Sequence, residues 1–172
     1  VTEEFFDALG APMLLGRAFT AEEGKSGAPV VVISHSLWRR GFGGDPNILG
    51  QKFPTASRAS TIIGVTQPKS HYPKEVDAWI PMARAYTVQS FPDMLRRDNF
   101  IFQSIARLRP GVTPAQASDR LAAIARHINQ ENPKIRQDVS ARAFPLIDYA
   151  IQPEVRRGLW VLLGAVGFVL LI

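Results

Sequence analysis

One segment of the chain places serine and histidine side by side, two residue types that carry nucleophilic catalysis in many hydrolases. Ser34-His35-Ser36 offers a potential nucleophile next to a potential base. The Gly-x-Ser-x-Gly turn that exposes a nucleophilic serine does not surround it, and neighbours in sequence seldom form a catalytic triad. We therefore expect one of these serines to cap a helix. A hydrolase that uses Ser34 or His35 is kept as an alternative function.

Two glycine motifs imitate nucleotide-binding loops. Gly24-Lys25-Ser26 matches the end of a phosphate-binding loop, but Phe19 stands where the first glycine of that loop is required. Gly41-Phe42-Gly43 begins like a dinucleotide fingerprint, yet Pro46 occupies the third glycine position. Neither motif predicts a nucleotide site.

Metal ligands and acidic pairs give no stronger signal. The chain has no cysteine, which excludes disulfides, thiolate nucleophiles and cysteine-based metal sites. The three histidines stand far apart, at His35, His71 and His127. The closest acidic pairs, Glu22 with Glu23 and Glu75 with Asp77, lie among turn residues, where we expect them to be solvated. None of these patterns predicts a metal site or a catalytic pair.

Positive charge is moderate and dispersed. Lys and Arg number 20 against 15 Asp and Glu, for a formal charge of +5. The arginines form separate pairs at 39–40, 96–97 and 156–157 instead of one basic stripe. Nucleic-acid recognition needs such a stripe or a basic aromatic sheet face, so we expect no nucleic-acid partner.

The first half of the chain predicts several short strands. With 46% hydrophobic residues the 172-residue chain can form one domain or two small ones. Strands are expected at Val30–Ile33, 51–53, 60–65 and 78–82, the last at a sheet edge because of Pro81. A helix that carries Leu37, Trp38 and Phe42 should be capped by Ser34 or Ser36 and end in the glycines at 41–44. Residues 20–28 read as a polar, flexible segment.

The second half predicts a strand, a helix and a strand. Strands are expected at 100–108 and 139–146. Between them Thr113 is the N-cap of a helix, Pro114 suits its first position and Gln116 can close a capping box. An apolar face follows at Ala117, Leu121, Ile124, Ala125 and Ile128. An earlier helix is expected at 2–9.

The chain ends in fifteen residues without a charge, from Gly158 to Ile172. As a helix they span about 22 Å, against about 30 Å for the hydrocarbon core of a bilayer. We interpret them as a truncated transmembrane helix, with a buried core helix or central strand as the alternative. The N-terminus has neither a signal peptide nor an initiator Met, so we expect a piece of a longer protein. The residues expected in the membrane are Leu159, Trp160, Val161, Leu162, Leu163, Phe168, Leu170 and Leu171, with Arg156 and Arg157 next to it.

An ordered set of stretches resembles a known family. These stretches are VTEEFFDALGAPMLLGRAFTAEE at 1–23, PVVVISHSLWRRGFGGDPNILGQKF at 29–53, IIGV at 62–65, DAWIPM at 77–82, IARLRPGVTPAQASDRLAAIARHI at 105–128 and GLWVLLGAVGFVLLI at 158–172. Together they resemble the periplasmic core domain of MacB-like ABC transporter permeases. No single motif is specific, but their order is.

The resemblance implies an α+β fold with two subdomains. A ferredoxin-like, porter-type α/β subdomain would comprise 1–18 and 86–150, incomplete at its N-terminus. A mostly β, Sabre-like insertion would comprise 19–85. Residues 151–172 would be a linker and the start of the second transmembrane helix, which places Arg156 and Arg157 outside the cytoplasm. By itself, the positive-inside tendency would put this arginine pair in the cytoplasm.

The resemblance also implies a function, and it implies that this domain holds no catalytic residue and no cofactor, so we do not expect an enzyme. The domain would lie on the periplasmic side of the bacterial inner membrane and couple ATP hydrolysis by a separate domain or subunit to export or extrusion of a substrate. Implied partners are the ABC ATPase, a second permease copy, a periplasmic adaptor or outer-membrane component, and membrane lipid. The alternative is a membrane-anchored extracytoplasmic module that binds a ligand or partner without transport. The chain departs from the family at 56–59, where Ala-Ser-Arg-Ala replaces the frequent Asn-Gly hairpin turn.

Overall fold

The computed structural model describes residues 1–54, 59–68, 72–73, 76–84, 103–131, 140–147 and 163. The chain forms two compact units, unit 1 at 1–107 and unit 2 at 108–172. The described part of unit 1 contains a mixed sheet with helices, and the described part of unit 2 contains one long helix.

Unit 1 begins with a short helix and a strand. Helix α1 (Phe5–Leu9) confirms the helix expected within 2–9, and it ends at Gly10 in the left-handed conformation. Strand β1 (Met13–Gly16) follows; the sequence analysis did not predict it. Its four residues are too few for an alternating pattern to stand out.

The segment expected to be flexible is a helix. Helix α2 (Ala21–Ser26) starts from a capping box in which the Thr20 hydroxyl accepts from the Glu23 N–H and the Glu23 carboxylate accepts from the Thr20 N–H. The prediction for 20–28 was therefore wrong. The box satisfies backbone donors at the helix start, which offsets the poor helix propensity of Gly24 in the middle of the helix.

The predicted strand and capped helix in the middle of unit 1 are confirmed. Strand β2 (Val30–Ile33) is followed by helix α3 (His35–Phe42). Ser34 and not Ser36 is the N-cap, because the Ser34 Oγ accepts from the Leu37 N–H. Gly43, at φ 62°, ends the helix in the left-handed conformation that glycine adopts without strain.

Three further strands complete the sheet in the described part of unit 1. They are β3 (Lys52–Phe53), β4 (Ser60–Thr66) and β5 (Ala78–Trp79). The order β1-β4-β2-β5, with β3 also paired to β4, puts β5 at an edge as predicted. One side of β4 pairs in parallel with β2; its other side pairs antiparallel with β3 and then β1. Strand β4 is thus the centre of the sheet.

Two apolar clusters cover the two faces of this sheet. On one face Val31 and Ile33 pack with Ile62 and Val65, and α3 adds Leu37 and the rings of its aromatic residues. On the other face Val32 and Trp79 pack with Phe6 of α1 and with Phe19. The alternation of Val31, Val32 and Ile33 between clusters follows from the two-residue period of a strand. The insertion expected to be mostly β at 19–85 therefore includes two helices, α2 and α3.

Unit 2 contains helix α4 (Pro114–Glu131). The capping box predicted for it is confirmed: the Thr113 N–H donates to Gln116 Oε1 at 3.0 Å, and the Gln116 N–H donates to Thr113 Oγ1 at 3.2 Å. The strands predicted on either side are wrong in their described parts, since 103–109 and 140–145 form neither strand nor helix. An apolar run becomes a strand only where another strand accepts its backbone hydrogen bonds, and sequence pattern does not reveal such a partner.

The boundaries of the porter-type and Sabre-like subdomains stay a prediction. The described residues contain one mixed sheet, and the pairing of β1 with β4 joins 13–16 to the strands of the predicted insertion. The hairpin departure at 56–59 falls mostly outside the described residues, as do residues 148–162 and 164–172.

Candidate functional site

The start of α3 holds the polar side chains that the sequence raised as candidate chemistry. Ser34 lies between β2 and α3 and is 2% exposed. Its Oγ accepts from the Leu37 N–H at 2.9 Å and donates to Asp77 Oδ1 at 2.9 Å. Its backbone N–H donates to the Asp77 carbonyl at 2.8 Å. Both the hydroxyl and the amide of Ser34 therefore serve to hold structure together.

Asp77 links helix α3 to the start of strand β5. While Asp77 Oδ1 accepts from Ser34, its Oδ2 forms an ion pair with Arg40 near the end of α3. Arg40 also donates from Nη1 to Ser36 Oγ at 3.0 Å. Asp77 lies directly before β5, so the Ser34–Asp77–Arg40 cluster fixes α3 against the entry to β5. Asp77 is therefore paired, and the prediction that it is a solvated turn residue was wrong.

His35 does not complete a nucleophilic arrangement with Ser34. Its ring makes an edge contact with Trp38, with centroids 5.5 Å apart. The Ser34 hydroxyl donates to the Asp77 carboxylate and not to the His35 imidazole, so Ser34 and His35 do not form a serine–histidine pair. In the described part of the chain, no three potential metal ligands lie together. The prediction that Ser34 caps a helix is confirmed, and the hydrolase alternative gains no support from this geometry.

A second electrostatic cluster lies at the start of α2. Arg17 donates to both carboxylate oxygens of Glu23, at 2.7 and 2.8 Å. This hydrogen-bonded pairing, helped by the bond from the Thr20 amide, lowers the pKa of the Glu23 carboxyl to about 2. Glu23 is therefore paired, and the expectation that it is solvated was wrong. The signal available in the sequence was Thr20-x-x-Glu23, the pattern of a capping box.

Unit 2 exposes several large apolar side chains in its described part. Helix α4 packs through small side chains: Ala125 is 5% exposed, and the Ser118 hydroxyl exchanges two hydrogen bonds of 2.9 Å with the backbone of Ala143. Large side chains of the predicted apolar face are instead exposed, 38% for Leu121 and 55% for Ile124. The exposed large apolar residues in the described part of unit 2 are Leu108, Leu121, Ile124, Ile128, Phe144, Leu146, Ile147 and Leu163.

The membrane-inserted residues predicted from the sequence fall almost wholly outside the described residues. Leu163 is the exception; it is helical and 67% exposed. Arg156 and Arg157 lie outside as well. Within the part of the chain that the structure describes, no helix combines the length and the apolar character needed to cross a bilayer.

The described polar clusters hold helices and strands of unit 1 in place. Residues 1–124 match the family of MacB-like periplasmic core domains. The chain belongs to this family, whose members are periplasmic domains of ABC-type permeases.

Curated relatives match a shorter stretch. The macrolide export ATP-binding/permease protein MacB of Burkholderia pseudomallei (strain 1710b) is 34% identical over 88 residues, which are 49% of this chain and 14% of that protein. The probable syringafactin export ATP-binding/permease protein SyfD of Pseudomonas syringae pv. syringae (strain B728a) is 33% identical over 88 residues, with the same coverage. The matched segment is thus about one seventh of these relatives.

Two solved structures share the fold. The periplasmic region of MacB from Actinobacillus actinomycetemcomitans has a TM-score of 0.55 and 17% identity, covering 75% of this chain and 55% of that one. The extracellular domain of the noncanonic ABC-type transporter YknZ from Gram-positive bacteria has a TM-score of 0.54 and 16% identity, covering 83% of this chain and 64% of that one.

Proposed function

We propose that this chain is the extracytoplasmic core domain of an ABC transporter permease and couples ATP hydrolysis in the cytoplasm to export of a substrate by mechanical transmission. The observation that carries the proposal is the family match over residues 1–124. The curated relatives are named as ATP-binding/permease proteins of export systems. We assign ATP hydrolysis to a separate domain or subunit, as membership of this family implies.

Mechanical transmission requires a body that moves as one piece, and unit 1 has the necessary features. Strand β4 pairs with three other strands, and both faces of the sheet are covered by apolar clusters. The Ser34–Asp77–Arg40 cluster adds polar bonds between α3 and the start of β5. Close packing makes such a body poorly compressible, so a displacement at one end is passed to the other.

The proposed setting is the bacterial inner membrane, with this domain on the periplasmic side. The apolar run at 158–172 would begin the second transmembrane helix. Leu159, Trp160, Val161, Leu162, Leu163, Phe168, Leu170 and Leu171 would be inserted, and Arg156 and Arg157 would lie at the headgroups. Proposed partners are the ABC ATPase, a second permease copy and a periplasmic adaptor or outer-membrane component. The exposed apolar surface of unit 2 supports the expectation of a protein partner.

The segment at 148–157, directly before the apolar run at 158–172, is the link through which we expect motion to be transmitted. It provides the test, because movement of the membrane helix would reach the domain through it. The complete permease with its ATPase is assayed for ATP hydrolysis and for ATP-dependent export. Four glycines inserted within 148–157 should leave hydrolysis intact and abolish export. The matched control carries the same four glycines after Gly111, in an exposed turn with open space around it, and should export normally.

Export that survives the insertion at 148–157 would contradict mechanical transmission through this link. Absence of ATP-dependent export in the unmodified protein, together with saturable binding of a periplasmic ligand, would favour the membrane-anchored binding module instead.

A further inference from the structure

Helix α2 is part of unit 1 without burying a side chain of its own. None of the residues in Ala21–Ser26 is buried. The helix has six residues, and Gly24 in its middle lowers its helix propensity further. A helix of this length is not stable by itself in water. Contacts with the rest of unit 1 therefore keep α2 folded.

The contacts that hold α2 are polar and accessible to water. Arg17 donates to both carboxylate oxygens of Glu23, at 2.7 and 2.8 Å, and its side chain is half exposed. The capping box between Thr20 and Glu23 is exposed as well. The Glu3 carboxylate lies against Gly24, where a Cβ would be 2.5 Å from Glu3 Oε2. Exposed polar contacts stabilise only weakly, so α2 can open at a small cost in free energy.

The chain on either side of α2 is fixed in the core. Phe19 is buried in the cluster that contains Phe6 and Trp79. Val31 of strand β2 is buried in the cluster on the other face of the sheet. Opening of α2 is thereby confined to the residues between these two anchors, and the sheet does not have to unfold with it.

The C-terminal end of α2 lies on the segment that follows β5. Gly27 is buried and ends the helix at φ 65°. A Cβ on Gly27 would lie 2.8 Å from the Arg84 backbone nitrogen and 3.0 Å from the Ala83 carbonyl carbon. The Arg84 N–H itself donates to the Pro81 carbonyl at 3.1 Å. In the closed position, Gly27 therefore restricts the backbone at 83–84.

We propose that residues 20–28, which we call the flap, open by local unfolding while the sheet stays folded, and that the Arg17–Glu23 ion pair holds the flap closed over 83–84. Segments with few buried apolar contacts are the ones that open at low cost in folded proteins. Salt screens an exposed ion pair, so the closed population of the flap depends on ionic strength. The proposal does not depend on transport.

Amide hydrogen exchange of the 172-residue chain tests the flap. The Gly24 amide, which donates to the Thr20 carbonyl at 2.9 Å, and the Arg84 amide report on its opening. The Ile62 amide, which donates to the Gln51 carbonyl at 2.9 Å, reports on the sheet. Exchange is measured at low denaturant concentrations for the original chain and for two variants.

The variants separate the ion pair from the capping box. Glu23→Gln removes the charge that pairs with Arg17 and keeps a side-chain acceptor that suits a capping box. Glu22→Gln is the matched control, because Glu22 lies in the same helical turn and its side chain is exposed.

We expect the Gly24 and Arg84 amides to exchange at least about tenfold faster than Ile62 after correction for intrinsic rates, with little dependence on denaturant. Glu23→Gln should speed exchange at both flap amides about fivefold, and Glu22→Gln less than about twofold. Sodium chloride at about 1 M should speed it more in the original chain than in Glu23→Gln.

Three results would overturn the proposal. If the flap amides exchange only together with Ile62 and with the same denaturant dependence, α2 opens only when unit 1 unfolds. Equal effects of Glu23→Gln and Glu22→Gln would remove the ion pair as the closing contact. Faster exchange at Gly24 without faster exchange at Arg84 would show that the flap does not close over 83–84.

Discussion

Ser34 and Asp77 lie 43 residues apart in sequence and are joined by two hydrogen bonds, one through the backbone and one through the side chains. The serine side chain thereby caps α3 and at the same time holds the residue that leads into β5. A capping residue normally stabilises its own helix only. Here the same hydroxyl also connects the start of α3 to the residue directly before β5.

Replacing Ser34 should therefore cost more than the loss of an ordinary cap. In Ser34→Ala the Leu37 N–H loses its acceptor, and Asp77 keeps a half-buried carboxylate oxygen without this donor. We expect the free energy of unfolding to fall by about 2 kcal/mol. Chemical denaturation of the 172-residue chain measures it. Ser36→Ala is the control, since the Ser36 hydroxyl accepts an exposed hydrogen bond from Arg40 and does not cap the helix; a loss as large as that of Ser34→Ala would refute the assignment.

The Arg17–Glu23 pair should make stability depend on acid pH. The folded pKa of Glu23, about 2, lies below its ordinary value of 4.5. A lowered carboxyl pKa stabilises the fold above about pH 4.5, and this contribution disappears as the pH falls towards 2. Arg17 is half exposed, so water screens the pair and we expect a contribution of about 1 kcal/mol.

Denaturation curves between pH 2 and 6 measure this dependence. Glu23→Gln should be less stable than the original chain at pH 6 and should approach it at pH 2. Glu22→Gln serves as the control because Glu22 lies in the same helical turn. An unchanged pH profile in Glu23→Gln would show that the pair does not stabilise the fold.

Gly16 and Gly43 should respond differently to alanine, although both have positive φ. A Cβ on Gly16 would lie 2.1 Å from the Ile63 carbonyl oxygen, whereas one on Gly43 meets nothing within 4 Å. Gly43→Ala should therefore cost only the conformational term, about 1 kcal/mol. Gly16→Ala should cost at least about 3 kcal/mol, because the β1–β4 pairing must shift. Comparable melting temperatures of the two variants would contradict the close approach at β1.

Neighbouring positions on α4 test which face of that helix is packed. Ile124 is 55% exposed and Ala125 is 5% exposed. Ile124→Gln should change the free energy of unfolding by no more than about 0.5 kcal/mol. Ala125→Gln should destabilise by about 1–3 kcal/mol, because a larger polar side chain must enter a packed site. Unfolding of both variants is followed by circular dichroism. A larger loss of unfolding free energy in Ile124→Gln than in Ala125→Gln would mean that the large apolar residues form the packed face.

Local signals predicted much of unit 1. The run Val30–Ile33, the Ser34 cap and the glycines after Phe42 each act within a few residues, and the structure has the strand, the cap and the helix end where they were expected. Strand β1 and helix α2 were missed for opposite reasons. Strand β1 has no recognisable sequence pattern and forms because it pairs with β4. Helix α2 did have a recognisable pattern, the capping box of Thr20 and Glu23, which was overlooked.

Contacts between residues far apart in the chain could not be predicted from the sequence. Nothing near Asp77 in the chain indicates a bond to Ser34, because the contact arises only when β5 pairs with β2. The apolar face of α4 was predicted from its spacing, but the structure packs the small side chains and exposes the large ones. Spacing identifies a candidate face and cannot identify what covers it. The membrane residues at 159–171 were predicted from composition, and apart from Leu163 they lie outside the described residues.

The central proposal is that this domain belongs to an ABC permease and is followed directly by a transmembrane helix. Sequencing the gene on both sides of the region that encodes this chain tests the claim most directly. The account predicts that the apolar run continues for about five to ten residues beyond Ile172 into a flank with Lys or Arg, with further hydrophobic segments and an ATPase encoded in the same or an adjacent gene. A stop codon or a polar sequence directly after Ile172, with no ATPase gene nearby, would contradict it.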